Sequence, residues 1–155
     1  MQEADHALGR LRRGQPLGIP AHVTVNYPFR PHGGVTPEVQ EELRALFGAF
    51  AGFSARFSRI ERFPGVLYLA PEPVDRFVEL TKVVVARWPE SPPYEGAYTT
   101  IVPHLTVREG PEPRRLAARV QRRLPIDAAV HEVVLMRPDR RGRWSLVCSF
   151  PLGAT

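Results

Sequence analysis

Two matching tetrapeptides constrain the fold of this chain more than anything else in it: His22-Val23-Thr24-Val25 and His104-Leu105-Thr106-Val107. Both have a β-branched residue and a proline just upstream, Ile19-Pro20-Ala21 and Val102-Pro103. Both are also followed by the same order of elements. After His22, Thr36-Pro37 supplies a hydroxyl N-cap and a proline at the first helical position. The helix they open has an apolar stripe of Val39, Leu43, Leu46, Phe47 and Phe50. Phe53, Ala55 and Phe57 then alternate with polar residues as in a half-buried strand, Phe63-Pro64-Gly65 turns the chain, and Val66 to Leu69 return. After His104, Pro111 and Pro113 precede a helix with Leu116, Ala117, Val120 and Leu124 on one side. Ile126 to Met136 and Arg143 to Phe150 then form a hairpin across Pro138 to Gly142. A further helix from Pro73 carries Val74, Phe77, Val78, Thr81, Val84 and Val85, and Glu90 to Gly96 is a loop. Ahead of the first repeat, Ala4, Ala7, Leu8 and Leu11 have the spacing of an amphipathic helix.

A unit used twice within 155 residues implies one domain, spanning 1–155, of two lobes related by a pseudo-twofold axis. The axis brings the two motifs together at the centre. We expect strands over Ile19 to Phe29 and Thr99 to Arg108. Side chains alternate faces along a strand, so His22 and Thr24 share one face and His104 and Thr106 another, with Val23, Val25, Leu105 and Val107 turned to the core. Two such strands make a cradle of two imidazoles and two hydroxyls.

Phosphodiester cleavage needs these groups. One neutral imidazole takes a proton from the attacking oxygen, and a second, protonated, gives one to the leaving oxygen. An unperturbed histidine titrates near pH 6.5, so both forms exist near neutrality. Threonine hydroxyls donate hydrogen bonds to the non-bridging oxygens. No metal or other cofactor is required, and no His-Glu-x-x-His pattern or glycine-rich phosphate loop accompanies the motifs.

With these residues the sequence resembles the 2H phosphoesterase superfamily, which includes bacterial 2′-5′ RNA ligase-like proteins and cyclic phosphodiesterases. The resemblance spans nearly the whole chain. It implies an α+β fold: a bilobal pseudo-twofold structure in which two antiparallel sheets flank a central cleft, with helices outside. It also makes His22 and His104 the catalytic pair and Thr24 and Thr106 the phosphate binders. The substrate class it implies is a 2′,3′-cyclic phosphate or a related nucleotide or RNA-end phosphodiester. RNA 2′-5′ ligation or other RNA-end processing, and a nucleotide- or RNA-binding module without turnover, are the alternatives. Members usually begin with a strand before the first helix, whereas this chain starts on the helix.

Other residues carry weaker signals. Continued alternation puts Asn26 and Arg108 on the cleft face, where Arg108 either holds a phosphate or marks a strand end in solvent. Tyr27, Phe29, Phe63 and Tyr68 either stack a base or belong to the core. Arg137, Arg140, Arg141 and Arg143 surround a turn, as contacts for a polynucleotide backbone or as a solvated turn. His6, His32 and His131 lack the repeated context. The net charge of +5 favours anionic partners, although Lys82 is the only lysine and the basic residues are otherwise arginine. Cys148, the single cysteine, allows no intrachain disulfide and reads as a small strand residue. A polar, acidic N-terminus and the lack of an apolar run of roughly 20 residues point to a cytoplasmic protein with no membrane partner.

Overall fold

The computed structural model describes residues 19–31 and 33–154. The helix expected over Ala4 to Leu11, together with His6 and His32, lies outside them. Helix α1 (Pro37–Gly48) forms where its cap requires: Thr36 Oγ1 accepts a hydrogen bond from the Val39 N–H at 3.4 Å, and Val39, Leu43 and Phe47 are buried. β1 (Phe53–Phe63) and β2 (Val66–Glu72) are joined by Pro64-Gly65. Gly65 has φ +73°, which a glycine adopts without steric cost. α2 (Val74–Arg87) buries Phe77, Leu80, Thr81 and Val84. β3 (Leu105–Glu109), α3 (Leu116–Gln121), β4 (Ile126–Val130), β5 (Glu132–Pro138) and β6 (Trp144–Pro151) follow.

The strands form two antiparallel sheets, one in the order β3-β2-β1-β4 and one of β5 and β6. The fold is α+β. α2 packs on β2, α3 on β1, and α1 on β6. The repeats are interlocked: the hairpin that follows the first motif, β1–β2, pairs with β3, the strand of the second motif. α1, from the same first half, lies on the sheet made by the second half. The core between these layers includes Phe57, Leu69, Leu80, Leu105, Val107, Val120 and Phe150.

Three sequence expectations need correction. Ile126 to Met136 is two strands in different sheets. Ile126, Ala128 and Val130 face inward on β4, whereas Val133 and Leu135 pack inward on β5. The inward parity changes at His131, where the chain leaves the four-stranded sheet for the two-stranded one. The strand expected from Thr99 begins only at Leu105, because Pro103 offers no N–H to a ladder. Between α2 and β3 lies a single 3₁₀ turn, Pro93–Gly96, with Tyr94 and Glu95 in the left-handed region at φ +50° and +54°. Finally, Ile19 to Phe29 is not a sheet strand. Its described pairing is one antiparallel bridge, Val23 to Leu105. Pro20 and Pro28 flank the segment, each without a donor.

Candidate functional site

That single bridge sets the geometry of the site. Val23 and Leu105 face each other across it, and both are buried. Antiparallel pairing about this point sets His22 across from Thr106 and Thr24 across from His104. All four are half-buried, on the face opposite the core. Each histidine therefore has the other motif's threonine as its cross-strand neighbour, about 4.5–5.5 Å away at Cβ in such pairs.

The two imidazoles are anchored in the same way. His22 Nδ1 lies 2.9 Å from the Pro20 carbonyl oxygen, and His104 Nδ1 lies 2.8 Å from the Val102 carbonyl oxygen. A carbonyl can only accept, so in each ring Nδ1 carries the proton. In the neutral ring Nε2 then holds the lone pair, and that is the nitrogen able to take up or release a proton. The β-branched residue and proline that precede each motif belong to this anchor. The proline stiffens the backbone between the accepting carbonyl and the ring in the second motif, and itself supplies the carbonyl in the first.

The second motif is held by a sheet. Thr106 pairs with Tyr68 and Leu105 with Leu69 on β2. Tyr68 is 5% exposed, and Phe63 stacks over it at 4.3 Å with planes 24° apart. The His104 ring meets both edge-on, at 5.2 Å from Phe63 and 5.5 Å from Tyr68. Burial pushes the Tyr68 phenol above its ordinary value; Glu61 adds to the rise and Arg59 opposes it. Glu61 lies next along the row through Thr106 and Tyr68, since it pairs with Tyr68, and Arg59 pairs with Ala70 two residues on. They form a charged pair that the sequence pattern did not single out. The signal was their alternation with Ile60 on a strand whose other face is core.

The first motif is held by side chains from elsewhere. Thr81 on α2, 2% exposed, donates its hydroxyl to the Val25 carbonyl at 2.8 Å. Asn26 Nδ2 donates to the Ser91 carbonyl at 2.9 Å, and the Tyr94 N–H donates to the Tyr27 carbonyl at 2.6 Å. Asn26, expected to face the cleft, is thus a tie to the 88–96 loop. Tyr27 is 49% exposed and its ring lies 5.9 Å from that of Trp144 at the start of β6. Trp144 went unremarked in the sequence because it sits beside the arginine turn rather than beside a motif.

Two expected cleft residues are placed differently. Phe29 packs edge-on against buried Trp88 at 5.2 Å, so it is a core residue rather than a base platform. Continued alternation placed Arg108 on the cleft face of its strand, but the register shifts by one between Leu67 and Tyr68. Arg108 pairs with buried Leu67 instead, and its Nε donates to the Pro111 carbonyl at 3.3 Å. The bulge moves Arg108 from the row of Val66 to that of Leu67, and the side chain stays half-buried. Of the four arginines at the turn, Arg143 pairs with Asp139 at 3.1 Å. His131 is exposed, with Nε2 3.9 Å from Glu132. Among the described residues, no three His, Cys, Asp or Glu side chains gather as a metal would need, and no helix is long and apolar enough to cross a membrane.

The α+β fold that positions this crossing is shared with solved structures. TT0787 of Thermus thermophilus aligns with a TM-score of 0.67 at 20% identity, over 99% of this chain and 94% of that one. E. coli LigT in its apo form aligns with a TM-score of 0.59 at 19% identity, over 99% and 92%. The complex of LigT with 3′-AMP gives 0.60 at 16%, over 96% and 92%. These likenesses establish the fold. No curated protein sequence matches the chain. The family model of the 2′-5′ RNA ligase superfamily matches residues 2–142, and the chain belongs to that superfamily.

Proposed function

We propose that the protein is a metal-independent phosphodiesterase that opens 2′,3′-cyclic phosphates or related nucleotide and RNA-end phosphodiesters. The observation that carries this reading is the crossed arrangement of two identically anchored histidines, each facing the other motif's threonine. Nε2 of one imidazole takes the proton from an attacking water as the new P–O bond forms. Nε2–H of the other, protonated, gives its proton to the oxygen that leaves as the old P–O bond breaks. The Thr24 and Thr106 hydroxyls donate to the non-bridging oxygens, where charge gathers in the transition state. After one turnover the two rings have exchanged protonation states, and solvent restores them. The same groups run in reverse to join a 2′- or 3′-oxygen to a phosphate, so ligation and cleavage share one cradle. LigT has been solved with 3′-AMP and with NADP+, and nucleotide chemistry of that kind is what we assign to this cleft.

The test is hydrolysis of nucleoside 2′,3′-cyclic phosphates in EDTA. We expect turnover with a bell-shaped pH profile, and a loss of roughly 100- to 10,000-fold in kcat for either His22→Ala or His104→Ala. Full activity in both variants sinks the reading. Binding without turnover, measured by calorimetry, would replace it with a nucleotide-binding role.

A further inference from the structure

The cleft has a neighbour that the proposed chemistry does not use. Tyr27 lies three residues beyond Thr24, about 10 Å along an extended chain, and its half-exposed ring meets Trp144. Trp144 pairs across its hairpin with Pro138, and between them runs Asp139-Arg140-Arg141-Gly142-Arg143. Beside Tyr27, the 93–96 turn presents Tyr94 and Tyr98 with rings 5.6 Å apart, Tyr98 being 71% exposed. Aromatic faces therefore lead from one end of the cradle to an arginine-rich tip.

The charge at that tip is not neutralised. Asp139 accepts from the Arg141 and Arg143 N–H groups and pairs with the Arg143 guanidinium, so the one carboxylate of the turn is occupied. These bonds hold its carboxyl below the ordinary range, the Arg143 N–H contributing most. Among the described residues Arg137, Arg140 and Arg141 have no carboxylate partner, and Arg137 and Arg140 line a concavity of about 490 Å³ with Pro138, Asp139 and Ser145. On β1 and in α1, by contrast, each arginine has a carboxylate: Arg44 with Glu41, Arg56 with Asp127, Arg59 with Glu61 and Glu72, Arg62 with Glu112. Arg119 and Arg122 of the α3 region are also without carboxylate partners. They belong to the helix that packs on β1 and to its C-terminal cap.

We propose that the β5–β6 hairpin, with Tyr27 and Trp144, is a binding surface for a single-stranded nucleic acid running on from the phosphodiester in the cleft. Ring faces stack bases without sequence preference, and unpaired guanidinia take backbone phosphates; single-strand sites combine these two components. The inference takes the cleft as the seat of phosphodiester chemistry, but its test needs no turnover. Binding of a 3′-phosphorylated RNA hexamer, the same DNA hexamer, and 3′-AMP is measured by fluorescence anisotropy or calorimetry as salt is varied. The RNA hexamer should bind at least about tenfold more tightly than 3′-AMP. Arg140→Ala/Arg141→Ala should remove most of that advantage and flatten the log–log salt dependence by about 1.4, the share of two single-strand phosphate contacts. Trp144→Ala should weaken the hexamer by about tenfold, within the range for one stacked base. The control, Arg119→Ala/Arg122→Ala, should leave both ligands unchanged. A response of the RNA alone identifies the strand as RNA, and a response of both hexamers as single strands in general. A hexamer that binds no better than 3′-AMP overturns the proposal, as does a hairpin variant that weakens 3′-AMP as much as the hexamer. If His22→Ala keeps full hydrolytic activity while the hairpin variants still lose the hexamer, the catalytic reading fails and the surface stands.

Discussion

The two motifs present the same pair of side chains but are built from different materials. His104 precedes β3, the edge strand of the four-stranded sheet, which is paired along its length with β2, and Tyr68 and Phe63 lie against its ring. His22 sits on a segment with one described bridge to β3, secured by a threonine from α2, an asparagine tie and a loop amide. In both cases the ring is oriented by a carbonyl two residues upstream. A cleft histidine can therefore be positioned by its own short backbone loop, while the surrounding structure only has to hold that loop in place. The sheet does this on one side, and side chains do it on the other.

The largest expected effects test whether the two sides are chemically equivalent. Thr24→Val and Thr106→Val each remove one donor to a non-bridging oxygen. Each should cost about 100- to 1,000-fold in kcat, the range found for loss of one such donor. Losses that differ by more than tenfold would show that the phosphate leans toward one motif. Next is mechanical support. Thr81→Val leaves the Val25 carbonyl without its buried donor and should cost about 1–3 kcal/mol in chemical denaturation. It should also slow turnover by displacing the first motif, with no counterpart effect on the ring contacts of His104. Hydrogen exchange should follow the same division, with amides of 22–27 exchanging faster than those of β3 in the unaltered protein. Smallest is a control on the sheet itself. The hydrogen bond from Arg56 holds the Asp127 carboxyl below the ordinary 3.8. A depressed folded pKa adds stability above the unfolded value, and that stability is lost as pH falls through the folded value. Asp127→Asn should therefore flatten the acid limb of the stability curve slightly, with activity at neutral pH unchanged.

Much of this arrangement was legible in the sequence because local rules produce it. The cap at Thr36-Pro37, the Pro64-Gly65 turn and the alternation through Phe53, Ala55 and Phe57 each depend on near neighbours. The pairing of the motifs was legible for another reason: a repeated unit implies an axis, and an axis places equivalent residues together. What could not be read depended on partners distant in sequence. The bulge opposite Leu67 that displaces Arg108 exists only in the pairing of β2 with β3. Phe29 looked like a candidate base platform until Trp88, far along the chain, supplied its packing partner. The change of sheet at His131 was present in the pattern, since apolar residues switch from even to odd positions there. A run of small and β-branched residues concealed it.

The interlocking of the halves has a consequence for how the molecule can be divided. Because β1–β2 completes the sheet of β3 and β4, and α1 covers the sheet of β5 and β6, neither half of the chain contains all of its own partners. A cut in the exposed 97–101 stretch leaves two fragments, each with an unpaired sheet edge and an uncovered apolar layer. Apart, they should stay unfolded or aggregate. Mixed, they should rebuild one particle, and cyclic-phosphate hydrolysis should return only in the mixture. For the proposed hydrolysis, the crossing of His22 and His104 is a reporter for assembly, silent until both halves are present.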